Sequence, residues 1–400
     1  VKRRVFVRGT GALTPLGETW AETRDALARG ESAVRPVTRF DVTGYPSQVA
    51  AVVPFEVDDG PDRRMSLARR AAREAWEKAR IEAPAHRVGV FVGAESGRAS
   101  YATVLALSRA AGGGDRFDHQ RFGAGARSLA TSVHAAAVSP AAVASSLAAA
   151  IGARGPVATL SLACASGAAA IVEAARAIRR GACDVALCGG VGADVDPFMM
   201  VGFGILGALS ARGISCPFDA RRDGFVVGEG AAMVVLAAER GASEVELVGA
   251  ARSLDAHHLT APDPAGDGAL RAMRGALEDA GRASVEYVQA HGTSTPLNDA
   301  VEAGAILRAL GGAIDRARVG AVKGALGHWI AGAGAIGFLC AVEAVESGTC
   351  LPTAGLTEPD PSCALPHVVG KAVHAPVEAA LVNAFAFGGA NASLVVARCG

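Results

Sequence analysis

The 400-residue sequence has no excess of charge of either sign: 39 Lys+Arg stand against 39 Asp+Glu. A chain with no net field and no extended basic run cannot attract a phosphate backbone or an anionic membrane over a large area. Nucleic acid and membrane surfaces are thereby excluded as main partners, and an acidic partner must be met by a local patch. Long hydrophobic runs are also missing. No apolar stretch approaches the ~20 residues that cross a bilayer, and the segment from Val1 to Arg8 reads as a short β-like piece, not a signal peptide. The eight cysteines (Cys164, Cys183, Cys188, Cys216, Cys340, Cys350, Cys363, Cys399) form no Cys-x-x-Cys pair, and the nine histidines do not join them at ligand spacing. No metal site is expected, and the thiols read as reduced. The expected setting is a soluble, cytoplasmic one.

What is present is apolar and rich in small residues. Half the side chains are hydrophobic and 50 are glycine, enough for one large core or two fused ones, with many turns and close backbone approaches. Apolar strands alternate with amphipathic helices. The pattern predicts a strand at Val5–Gly9, a helix from Thr19 to Arg29, a helix over Arg63–Ala79 and a buried strand Val88–Gly93. From Ala110 to Ser132 periodicity is lost, which predicts a surface excursion or cap. Helix returns over Pro140–Ile151. Asp196–Gly204 reads as a glycine-rich loop bearing Phe and Met, and strand follows over Ala232–Ala237. The second half repeats the plan, with strands at Glu246, Tyr287 and Val319, helices over Gly268–Gly281 and Asp299–Leu310, and a Gly/Ala helix from Ile330 to Ser347. Gly9-x-Gly with Gly17 lacks the glycine spacing and the later acidic residue of a dinucleotide fingerprint.

The centre of the pattern is Val157–Arg180, an apolar strand that turns at Cys164 directly into a helix. A thiol at such an elbow meets the first-turn amides of the helix, which are expected to lower its pKa. Ala163, Ala165, Ser166, Gly167 and Ala168 leave no bulk beside the sulfur, as a substrate arriving through a tunnel requires. His291 and His328 each follow a strand of the second half, where open α/β sheets place their ligands. The sequence strand, elbow, small-residue helix recurs at Lys323–Ser347, so two similar halves packed back to back would bring both elbows to one site.

At these residues the sequence resembles the elongating β-ketoacyl-carrier-protein synthases (ketosynthases) of the thiolase superfamily, of the Cys-His-His type. The motifs appear in order: Gly9-x-Gly-x-x-Thr-Pro-x-Gly17, Ala163-Cys-Ala-Ser-Gly167, Pro217-Phe-Asp, Gly224-Phe-Val-Val-Gly-Glu-Gly230, His291-Gly-Thr-Ser-Thr295, Lys323-x-x-x-Gly-His328 and Asn383-Ala-Phe-Ala-Phe-Gly-Gly389. The resemblance implies a thiolase-like α/β fold in which two βαβαβ-type halves, 1–244 with the nucleophile and 245–400 with the histidines, form five layers α-β-α-β-α. It implies a stand-alone acyltransferase in fatty-acid or polyketide-type biosynthesis. Cys164 would take an acyl chain from a carrier protein and condense it, with decarboxylation, with a malonyl-type unit. His291 and His328 would hold the enolate. Lys323 would orient His328 and pair with Glu302, the amides of Cys164 and Phe387 would form an oxyanion hole, and Phe385 and Phe387 a gate. Thr293 and Thr295 would bind the phosphopantetheine arm of the carrier. No bound cofactor is implied; a carrier protein and a second copy of the chain are the partners.

Departures from the family pattern stand at Gln289, Gly324, Gly337, Ala384, Ala386 and Ala390, each removing or moving a polar group. A lost carboxylate at Gly337 would leave Lys323 more dependent on Glu302. They raise an alternative: a ketosynthase-like cyclase that closes a ring by intramolecular aldol-type chemistry, or lactonises and releases a carrier-bound chain. A partner subunit that only shapes a tunnel is opposed by Cys164 and both histidines, because such subunits lack the nucleophile.

Overall fold

The computed structural model describes residues 3–56, 62–97, 99–112, 116–129 and 138–400. Ten strands carry the architecture: β1 Phe6–Leu13, β2 Val88–Gly93, β3 Val157–Leu160, β4 Val185–Ala193, β5 Glu229–Ala237, β6 Val245–Leu254, β7 Tyr287–Gln289, β8 Arg318–Gly320, β9 Ala379–Phe385 and β10 Ala390–Arg398. Their hydrogen-bonded order is β8-β7-β9-β10-β6-β1-β5-β4-β2-β3. The junction between β1 and β6 is the single pair Phe6 and Glu246, so this is two five-stranded sheets meeting at one point. Outwards from that point the first runs 1-5-4-2-3 and the second 6-10-9-7-8, one strand order used twice. In both, the three strands farthest from the junction are mutually parallel and the other two antiparallel.

Helices complete the layers: α1 Trp20–Ala28, α2 Arg63–Ala79, α3 Tyr101–Ala110, α4 His119–Leu129, α5 Ala142–Ala150, α6 Ser166–Arg179, α7 Pro197–Ile205, α8 Asp267–Asp279, α9 Pro296–Leu310, the single turn α10 Lys323–Leu326, and α11 Ala333–Ser347. α2 and α5 cover the outer face of the first sheet, and α8, backed by α9, the outer face of the second. Between the sheets lie α6, against β2, β4 and β10, and α11, against β4, β5 and β9. This is the α-β-α-β-α arrangement. A helix held between two sheets must be apolar all round, and every residue of α11 from Ala333 to Val345 is buried. Ile330–Ser347 is long and apolar enough to pass for a membrane span, but 89% of it is buried inside the fold. Phe338, fully buried there, would cost about 3–5 kcal/mol on truncation to Ala.

One sequence expectation gives way, and another takes a helical form. The stretch Asp196–Gly204, read as a loop, is α7: Asp196 caps it by accepting the amides of Phe198 and Met199, and Pro197 occupies its first turn. Within Ala110–Ser132 the structure shows α4 and the end of α3, with 113–115 and 130–132 outside the described residues. These helices bury no residue, so they lack the apolar stripe that periodicity detects.

Candidate active site

The elbow is set by Ser166. Its hydroxyl accepts from the Leu162 amide at 2.8 Å and donates to the Ala163 carbonyl at 2.6 Å, tying both sides of the turn. Ala163 pays for the tightness of that turn with a left-handed φ of 44°. The small residues around the sulfur have a reason beyond substrate access. A Cβ on Gly93 would lie 2.3 Å from the Gly167 amide nitrogen, and one on Gly167 2.9 Å from the Ala331 carbonyl oxygen. Bulk at these positions would push β2, α6 and the start of the α11 segment apart.

Cys164 is buried, 4% exposed. Burial pushes its thiol up to about 12, against the pull of the Lys323 charge and of the backbone amides of Phe387 and Cys164 itself. The expected lowering by the elbow is therefore outweighed, and the resting sulfur is a thiol. The two amides that reach the sulfur come from the α6 elbow and from the turn at Phe387–Gly389, where Gly388 adopts φ 81° and donates to the Leu259 carbonyl.

His291 and His328 face each other with ring centroids 5.7 Å apart. His328 Nδ1 accepts from the Ile330 amide at 3.1 Å, and His291 Nδ1 lies 3.2 Å from Lys323 Nζ, an ammonium that only donates. Each ring thus has its Nδ1 lone pair engaged, leaving Nε2 as the N–H. Burial, then the nearby Lys323 charge, holds both imidazoles well below 6.5, so both are neutral at physiological pH. Phe385 packs on His291 with centroids 5.8 Å apart, and Phe225 meets His328 edge-on at 5.1 Å.

Lys323 differs from its expected role. Its ammonium contacts Nδ1 and the backbone carbonyl of His291, so its hydrogen bonds go to His291, and it acts on His328 only through its charge. Burial lowers it to about 8, opposed by the charge of Glu302. Glu302 forms no ion pair with it. The carboxylate instead accepts the amides of His291 at 2.7 Å and Gly292 at 2.8 Å and the Asn383 side chain at 3.1 Å, and burial raises it to about 6. A Cβ at Gly337 would meet Gln289 Cγ and Val382 Cγ1 at 3.4 and 3.5 Å. The Gln289 side chain, held by the Tyr287 hydroxyl at 2.9 Å, borders that space.

The sequence reading overlooked Asp299. Fully buried, it accepts the amides of Phe218, Thr293 and Ser294 at 2.8, 3.0 and 3.1 Å, fixing the loop in which Thr293 and Thr295 share a 2.8 Å hydrogen bond. An acid in the first turn of α9 was the available signal. Cys164, His291, His328, Phe385, Phe387, Thr293 and Thr295 open onto one cavity of about 360 Å³, with Lys323, Glu302 and Asp299 outside its lining. Among the described residues no cluster of His, Cys, Asp or Glu is placed to hold a metal ion.

The β-ketoacyl synthase N-terminal domain family matches residues 2–242, and its C-terminal domain family residues 245–357. The chain belongs to the β-ketoacyl synthase family. It is similar to the 3-oxoacyl-[acyl-carrier-protein] synthase 2 of Coxiella burnetii, 34% identical over 428 residues and 99% of each chain, and to that of Synechocystis sp., 35% identical over 98% of this chain and 97% of the other. Among solved structures, a β-ketoacyl synthase from Burkholderia phymatum and the ishigamide ketosynthase/chain length factor each share 32% identity over the whole of both chains, with TM-scores of 0.87 and 0.86. A type II PKS acyl-carrier protein in complex with its ketosynthase bound to the hexaketide matches at 27% identity and TM-score 0.87. The protein is thus a ketosynthase, an enzyme of the acyltransferase class.

Proposed function

We propose that this ketosynthase condenses carrier-bound acyl units in fatty-acid or polyketide-type biosynthesis. The Cys164 sulfur attacks the thioester carbonyl of an acyl-carrier protein; the bond to the pantetheine sulfur breaks, and that sulfur leaves with the proton Cys164 gives up. A malonyl-type unit then enters on a second carrier, its arm held by Thr293 and Thr295. Its carboxylate carbon departs as carbon dioxide, and the electron pair of that bond becomes an enolate whose oxygen accepts from His291 and His328 Nε2–H. The enolate carbon attacks the acyl carbonyl on Cys164. The amides of Cys164 and Phe387 hold the resulting oxyanion, and collapse breaks the carbon–sulfur bond, returning the thiolate to be reprotonated.

The observation that carries this reading is the pair of buried, neutral imidazoles with both Nδ1 lone pairs engaged. They can donate to a developing oxyanion but offer no free basic nitrogen. That weighs against the ring-closing alternative, which needs a base for an α-proton. Lys323 and Glu302 position His291, and Phe385 and Phe387 form the gate. Residues 1–244 supply the nucleophile and 245–400 the histidines. A carrier protein is the partner, in keeping with the names of the relatives. A second copy of the chain fits the open edge of β3, which pairs on one side only and leaves Val157 42% exposed. The cytoplasm is the matching compartment. Intact mass of the protein after incubation with acyl-carrier thioesters tests the first step: one acyl group per chain on Cys164 is expected, and labelling at another residue would overturn the assignment.

A further inference from the structure

Glu95 lies two residues beyond the end of β2 and stands beside the strand end that delivers the nucleophile. Gly93 pairs with Leu160 of β3, the Ala94 amide donates to the Leu160 carbonyl at 3.2 Å, and Ser161 Oγ donates to Glu95 Oε2 at 2.9 Å. Ser161 precedes Cys164 by three residues, and the Glu95 charge is one of the influences that raise the Cys164 thiol. The other carboxylate oxygen, Oε1, is shut off from solvent and has no hydrogen-bond partner among the described residues. Arg64 reaches the backbone carbonyl of Glu95 and the carboxylate of Asp62, and leaves Oε1 as it is. Glu95 does not line the cavity shared by the histidines and threonines, so it stands apart from the path proposed for the carrier arm.

An acceptor oxygen buried without a donor is uncommon enough in folded proteins to need a use. A plain hydrocarbon chain offers such an oxygen no donor, whereas a chain bearing a hydroxyl or ammonium does. Resting on the ketosynthase reading, we propose that Glu95 Oε1 accepts a hydrogen bond from the acyl group carried on Cys164, so that the enzyme prefers chains bearing a hydroxyl or ammonium donor close to the thioester over saturated ones. A donor at that oxygen also damps the negative field on the sulfur during transfer. A saturated chain leaves the oxygen desolvated and unpaired, which is how a site built to bind a hydroxyl rejects the analogue lacking it.

The test is the rate of acyl transfer onto Cys164, followed by intact mass, from carrier thioesters of butanoyl, 3-hydroxybutanoyl and 3-aminobutanoyl groups. Wild type is expected to load the two donor-bearing groups at least about tenfold faster than butanoyl. Glu95→Gln, with the same shape and no charge, should keep the hydroxyl preference and lose the ammonium one. Glu95→Leu should reverse the order, loading butanoyl fastest. Equal rates for the three groups in wild type, or one unaltered ratio across wild type and both variants, would overturn the inference. The isosteric glutamine variant keeps the comparison available if the leucine variant fails to fold. Absence of acylation of Cys164 by any of the thioesters is a different result, and overturns the ketosynthase reading itself.

Discussion

The two sheets share one strand order and deliver opposite chemistry from the same place. In the first, β3 runs into an elbow whose thiol is surrounded by small apolar groups. In the second, the equivalent strand β8 runs to Lys323, an ammonium among buried polar groups. Burial drives both toward their neutral forms, the thiol up to about 12 and the ammonium down to about 8. The compensation differs. Around Lys323 and His291 the backbone is tied down by Glu302 and Asp299, which together accept five amides, whereas the sulfur meets two amides. One half is therefore a rigid field of donors, and the other holds a nucleophile that acquires charge only during turnover. Donors fixed before the charge appears stabilise it without reorganising.

The sharpest way to break the contrast is to remove the nucleophile. Cys164→Ala should reduce acyl transfer to background by intact mass, with the remaining seven cysteines unlabelled; labelling at the wild-type rate would place the nucleophile elsewhere. Removing one donor acts on the other half. His291→Ala or His328→Ala should leave acyl-Cys164 forming while condensation falls by roughly 100-fold or more, and loss of loading in both variants would argue for a base that activates the thiol. Glu302→Ala leaves two buried amides and Asn383 without their acceptor, so urea denaturation should show a loss of about 3 kcal/mol.

Smaller effects sharpen the comparison through pH. Because only the thiolate alkylates, a thiol near 12 predicts that iodoacetamide labels Cys164 about tenfold faster per pH unit between pH 7 and pH 9. A plateau near pH 7 would mean that the elbow amides outweigh burial after all. The imidazoles give the mildest signal. Folded, both lie well below 6.5, so the unfolded chain takes up protons first as pH falls through 6.5 and stability declines with it. Below about pH 6 the raised Glu302 binds protons in the folded state and offsets part of that loss. Urea midpoints at successive pH values check the sign.

How much of this was legible depended on which residues faced two environments. α2 and β2 emerge at their observed limits from periodicity alone, because α2 has one face on the first sheet and β2 is buried on both. α3 and α4 bury nothing and left no pattern to find. α7 was hidden by its glycines and methionines, although Asp196-Pro197 announces its start. At the site, Cys164 and both histidines stood out as strand-end residues, but partnership did not. Nothing in the spacing of Lys323 says whether its flexible stem reaches His291 or His328, and Glu302 proved to hold backbone amides because these lie nearer than the ammonium. Asp299 opened a predicted helix and Phe225 sat inside a quoted motif, both without a role, since accepting an amide or packing on a ring is set by the fold around them.

The central claim is that the buried imidazole pair serves decarboxylation and not proton abstraction. Its most direct test is release of labelled carbon dioxide from malonyl-carrier protein with Cys164 already acylated. Release matching the condensed product one for one, and abolished in Cys164→Ala, is expected. No release above that control across several malonyl-type donors would contradict elongation and make ring closure the leading reading.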